Sequence, residues 1–192
     1  HSISNNTITT YRNNGDDTID RIMYLGSNKD VENNTINILD DNTVGKIFKI
    51  EGDNVTLTGN TIYSEDTAKG IYVNDQNNIH IYNNSFTFTS SAMWLDAYSS
   101  DIDVHHNLVI TNSGRGMEIH NQSGGGIYNN TLISNSGDYG IHVSQLTDIP
   151  IKSNIIVGFQ NGIYDENDLQ NNQIRFNDLY NISNETYSGT GL

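Results

Sequence analysis

Asp96 and Glu118 are the sharpest chemical pair in the sequence, two carboxylates 22 residues apart with apolar neighbours on both sides. Around them recur side chains that proteins use to hold sugars: Tyr72, Trp94, His120, His142, Tyr164 and, three residues before Glu118, Arg115. Aromatic rings stack on the apolar faces of sugars, and carboxylates accept hydroxyl hydrogens. Two carboxyl groups about 5 Å apart suit a retaining glycosidase, and about 6.5–9.5 Å leaves room for the water of an inverting one. Like charges that close are unfavourable unless one group keeps its proton, the property a general acid needs. The plainer alternative is that large outward residues cover a sheet and that 23 Asp and Glu place some carboxylates together by chance.

These residues belong to a repeat. The phrase Asn, small or apolar, apolar returns at Asn6, Asn34, Asn60, Asn84, Asn107, Asn130, Asn154 and Asn177, with spacings of 28, 26, 24, 23, 23, 24 and 23. Each repeat adds a short strand just before the Asn, such as Ile79-His80-Ile81, and another midway, such as Ile71-Tyr72-Val73, Met93-Trp94-Leu95, Met117-Glu118-Ile119 and Ile141-His142-Val143. Alternation turns the flanking apolar residues inward and the middle residue outward. Three strands per coil predict an all-β fold: a single-stranded right-handed parallel β-helix of about eight coils. The outward midway positions then form one wall: Tyr72, Trp94, Asp96, Glu118, His120, His142 and Tyr164. Two registers are open. Pairing Leu95 with Met117 stacks Asp96 directly on Glu118, whereas pairing Met93 with Met117 sets them diagonally at ~8 Å.

The recurring Asn is expected to be structural. It tolerates a left-handed turn, and its amide can both donate to and accept from its copy one rung away, giving an internal Asn ladder. Small residues before the midway strands (Gly70, Ala92, Gly116, Gly140, Gly162) suggest sharp turns. The longer first two repeats place extra loop residues around 13–20 and 40–43. The chain reads as a single β-helix domain over residues 1–192. With no capping helix before the first ladder phrase, it is expected to be a piece of a longer protein or to self-associate end to end.

Composition narrows the partners. The formal net charge of −14 opposes nucleic acid and anionic membrane surfaces, and no segment has the length of a membrane span. The absence of Cys excludes a thiolate metal site. No cofactor is expected. Ca²⁺ is a weak alternative at the acidic runs Asp165-Glu166-Asn167-Asp168 and Asp16-Asp17. No metal site is assigned, although Glu118, His120 and His142 are the one cluster that could converge on a cation.

The stretch Met93-Trp94-Leu95-Asp96, Asn107-Leu108-Val109, Gly116-Met117-Glu118-Ile119 and Asn129-Asn130-Thr131-Leu132 resembles right-handed, pectin-lyase-like β-helix proteins. It is nearest to β-helical β-xylosidase-type glycoside hydrolases. That resemblance implies Asp96 as nucleophile and Glu118 as acid/base, although such hydrolases are much longer, with added domains and loops. The expectation is an extracellular or cell-surface carbohydrate-active protein. It would hold a polysaccharide or oligosaccharide on Trp94, Tyr72, His120, His142, Tyr164 and Arg115, with Asp96 and Glu118 as the catalytic pair. The alternatives are a non-catalytic polysaccharide-binding or structural surface β-helix and, ranked lower, a polysaccharide lyase or epimerase. The lyase ranks lower because no Lys is expected on the wall.

Overall fold

A computed structural model describes residues 1–10, 21–39, 45–65, 69–90, 92–96, 99–145, 149–166 and 174–188, with the side chains of Asp96 and Ser188 outside that description. The long-repeat insertions around 13–20 and 40–43 lie outside it as well. The described residues form 24 short strands in three parallel sheets of eight. Sheet A runs from Ser2–Ser4 to Ile174–Arg175, and sheet B from Thr7–Thr10 to Asp178–Tyr180. Sheet C contains Arg21–Leu25, Lys46–Ile50, Lys69–Asn74, Met93–Asp96, Arg115–His120, Tyr139–Ser144, Asn161–Asp165 and Glu185–Ser188. Within each sheet a strand pairs with its counterparts on the adjacent coils, the end strands on one side only, so the chain winds as the parallel β-helix that the repeat predicts. No helix among the described residues is long and apolar enough to cross a membrane.

Strand alternation fills the interior with stacked copies of one position. Ile71, Met93, Met117, Ile141 and Ile163 form one such file and are all solvent-inaccessible. Val73, Leu95, Ile119 and Val143 form the next. Parallel sheets are stable when their inner faces are sealed, and these apolar files provide that seal.

The corner between sheets A and B carries the ladder. Seven side-chain bonds of 2.9–3.0 Å link Asn6, Asn34, Asn60, Asn84, Asn107, Asn130, Asn154 and Asn177 in unbroken sequence. Asn107 is typical. Its Nδ2 donates to the Ile81 carbonyl at 2.9 Å and to Asn130 Oδ1 at 3.0 Å. Its Oδ1 accepts from the backbone and side-chain amides of Asn84. One detail differs from expectation. The left-handed residue is the one before the ladder Asn: Asn5, Asn33, Gly59, Asn83, His106, Asn129, Ser153 and Phe176, with φ between 54° and 66°. That residue reverses the backbone and frees the next side chain to point inward and ladder.

The small residues before the midway strands also have a different cause. Gly70, Gly116, Gly140 and Gly162 lie inside sheet C strands and lack positive φ. A Cβ would stand 2.3 Å from Phe88 Cζ at Gly70, 2.3 Å from Ile156 Cγ2 at Gly140 and 2.0 Å from Leu179 Cδ2 at Gly162. They are small because side chains of sheet B fill the corner behind them, not because the chain turns sharply there.

Replacing Asn107 by Leu removes the acceptor of the buried Asn84 backbone N–H and the donor to the Ile81 carbonyl and Asn130 Oδ1, while the Asn84 side-chain amide keeps the Leu57 and Tyr82 carbonyls. Each unsatisfied group costs about 1–3 kcal/mol, so denaturant unfolding should show a loss of roughly 2–5 kcal/mol. The same change at solvent-exposed Asn6 should cost less than about 1.5 kcal/mol, the worth of an ordinary hydrogen bond.

Candidate functional site

The register of sheet C settles which outward side chains are neighbours. Met93 pairs with Met117 and Trp94 with Glu118, which selects the diagonal placement and removes the direct stack of Asp96 on Glu118. The predicted wall therefore divides into two files. Tyr72, Trp94, Glu118, His142 and Tyr164 follow one another rung by rung. Beside them, Asp96 pairs with Asn74, and His120 with Ser144. The Asp96 carboxyl group lies outside the described atoms.

Glu118 is the centre of the wall, and it is buried rather than solvent-facing, at 4% exposure. Three neighbours cover it. Arg115 Nη1 lies 2.5 Å from Glu118 Oε1, His120 Nε2 lies 2.9 Å away and His142 Nδ1 3.8 Å away. Burial alone would push this carboxyl group's pKa up. The hydrogen bond from His120 and the Arg115 charge outweigh it and hold the group well below the usual carboxylate range, at about 2. Glu118 is thus an ionised carboxylate at neutral pH, a weak base suited to accept hydrogen bonds or to ligate a cation and not to donate a proton.

The two imidazoles are held from behind. His120 Nδ1 makes a short contact with Ser144 Oγ. His142 is stacked between Tyr139 and Tyr164, with ring centroids 5.2 Å away on both sides. Arg115 Nη1 donates to His142 Nδ1 at 2.9 Å. Guanidinium has no acceptor, so Nδ1 offers its lone pair and the proton sits on Nε2, which faces Glu166 at 3.9 Å. Among the described residues, Glu118, His120 and His142 are the set whose donor atoms converge, all within 4.8 Å of one another.

Toward the earlier rungs the wall changes character. Lys46, Lys69 and Arg115 each open their sheet C strand, as does Arg21, and Lys49 occupies the outward file. The expectation of a wall without Lys is therefore wrong, since three lysines line this face. Lys46 and Lys69 stand at the strand starts, outside the short apolar phrases, and Lys49 lies one rung before Ile71-Tyr72-Val73, where the legible midway strands begin. Five of the chain's 9 Lys and Arg gather on this one sheet. Lys46 Nζ lies 4.9 Å from the Tyr72 ring centroid, and Lys69 Nζ lies 3.1 Å from that of Trp94. The Trp94 indole also lies 5.9 Å from His120, so it is flanked by a cation and an imidazole rather than standing as a bare platform. Of the acidic runs considered for Ca²⁺, Asp16-Asp17 and Asn167-Asp168 lie outside the described residues.

A family model described as right handed beta helix region matches residues 1–156. No curated protein and no solved structure matches the chain.

The Glu118 charge gives a pH signature. Its pKa is lowered from 4.5 to about 2 on folding. The associated stability is fully present above 4.5 and is lost as pH falls toward 2. Thermal melts of the wild type should lose more stability across that window than melts of Glu118→Gln. Parallel pH profiles for the two chains would contradict the assignment.

Proposed function

We propose, for a chain that belongs to the right-handed β-helix family, that the outer wall of sheet C binds an acidic polysaccharide laid along the rungs. The observation that carries this reading is the placement of Arg21, Lys46, Lys49, Lys69 and Arg115 on one sheet of a protein with a net charge of −14. The strands Arg21–Leu25, Lys46–Ile50 and Lys69–Asn74 carry four of these cations and no carboxylate, whereas Lys49 also pairs with Glu51 beside them and Arg115 with Glu118 further along, so the positive excess belongs to the earlier rungs. At physiological ionic strength the distant acidic residues are screened beyond ~8 Å. Lys46 and Lys69 stand over the Tyr72 and Trp94 rings, so a sugar carboxylate that draws these ammonium groups aside leaves ring surface for the pyranose. Rungs ~4.8 Å apart repeat at about the length of one sugar residue, which suits a polymer better than a single sugar. A protein engaged with such a polymer acts outside the cell or at its surface.

Affinity electrophoresis tests this directly. Polygalacturonate or alginate in the gel should retard the protein, and about 0.5 M salt, which shortens the Debye length to ~4 Å, should abolish the effect. Lys69→Glu and Trp94→Ala should each weaken retardation. Equal retardation by neutral xylan, or none by any polymer, would overturn the reading.

A second reading is favoured by the register. Diagonal neighbours on adjacent rungs are about 7–8 Å apart, within the ~6.5–9.5 Å span of inverting glycosidases. Glu118, once substrate displaces Arg115 and so uncovers the carboxylate and raises its proton affinity, would then be the base that activates water, and Asp96 the acid that protonates the leaving group. This reverses the roles implied by the resemblance. Glu118→Gln should lower hydrolysis by about 10²–10⁴-fold and leave polymer binding in place, with inverted product seen by NMR. Retained configuration, or a wild type without turnover on acidic or neutral oligosaccharides, would exclude it.

A further inference from the structure

We propose that Glu118, His120 and His142 form a three-ligand site for a first-row divalent cation, Zn²⁺ by donor set, and that the Arg115 guanidinium occupies the position this cation takes. The inference goes beyond polysaccharide binding and does not depend on it.

The donor set comes first. One carboxylate and two imidazoles on adjacent rungs present Glu118 Oε1, His120 Nε2 and His142 Nδ1 within 4.8 Å of one another. Two of these separations are 2.9 and 3.8 Å. A tetrahedral Zn²⁺ with bonds of about 2.0–2.2 Å holds its donors roughly 3.3 Å apart. Small rotations of the side chains therefore close the set on an ion. Carboxylate with imidazole suits Zn²⁺ and its first-row neighbours better than Ca²⁺, which takes oxygen ligands.

The second observation is the support behind each imidazole. Metal-binding histidines keep the other ring nitrogen on a hydroxyl, carbonyl or carboxylate, which fixes the tautomer. Here His120 Nδ1 rests on Ser144 Oγ, while His142 Nε2 stands 3.9 Å from the Glu166 carboxylate, beyond hydrogen-bond reach, and its ring is held by stacking between Tyr139 and Tyr164. His142 already directs its Nδ1 lone pair inward, because Arg115 donates to it. For His120 to bind through Nε2, its proton moves to Nδ1, and a hydroxyl accepts as readily as it donates.

The third observation is the cation already there. Arg115 Nη1 contacts both Glu118 Oε1 and His142 Nδ1, so positive charge sits between two of the three donors. Its side chain is 31% exposed, against 6% for Glu118 and 5% for His142. The guanidinium can therefore withdraw toward solvent over the Tyr139 ring, 5.3 Å away, while the ligands stay in place. Three protein ligands leave a fourth position open to water or to a ligand atom on the wall.

Titration with Co²⁺ and Zn²⁺ near neutral pH decides the matter. Wild-type protein should bind one equivalent and give the intense visible absorption of four-coordinate Co²⁺. Arg115→Met should bind at least about tenfold more tightly, since a competing cation is gone. Ser144→Ala should weaken binding by about 10–100-fold. His120→Ala and Glu118→Gln should each weaken it by more than that, with circular dichroism confirming the fold. His1→Ala and the double change at His105 and His106 should have no effect. Absence of one-equivalent binding by the wild-type chain would overturn the site, even if Arg115→Met binds. Binding that disappears only with His1, His105 or His106 would overturn it too.

Discussion

Parallel strands in a solenoid hydrogen-bond only to their own copies, so every rung must repeat at the same height and the same register. The asparagine ladder enforces that condition. Each ladder amide donates to the next rung's oxygen and accepts from the previous rung. A slip of one residue would break both bonds and would also exchange the inward and outward faces of the strands. The buried amide cannot be left unpaired, because it has no water to turn to. A polar column thus fixes the register beside the apolar files that seal the interior.

Fixed register decides which outward side chains meet. With Trp94 opposite Glu118 and Glu118 opposite His142, the carboxylate has an indole on one rung and an imidazole on the next. Arg115 reaches it from the start of the same strand. The result is a buried, ionised carboxylate in the outer side-chain layer, with cations and aromatic rings on the rungs before it. A polymer along the wall and a cation at Glu118 would both exploit that single file.

Much of this was legible in the residues. The ladder asparagines, the inward files and the three-stranded coil followed from spacing and alternation. The gathering of Glu118, His120 and His142 followed from their shared wall. Other features depend on contacts that spacing does not encode. The residue before each ladder Asn takes the left-handed turn, and types as unlike as His106 and Phe176 occupy it. The glycines of sheet C answer to side chains of sheet B, such as Ile156 against Gly140. Alternation places Glu118 outward correctly, but its burial comes from Arg115, His120 and His142 folding over it. Lys46 and Lys69 are not legible from the repeat because they stand at the strand starts, outside the short apolar phrases that define it.

The proposed polymer site on sheet C can be mapped by amide chemical shifts during titration with an oligogalacturonate. Perturbations should concentrate in Lys46–Ile50, Lys69–Asn74, Met93–Asp96 and Arg115–His120, with sheets A and B silent. Perturbations centred on sheet A or sheet B, or a spectrum that does not change, would contradict it.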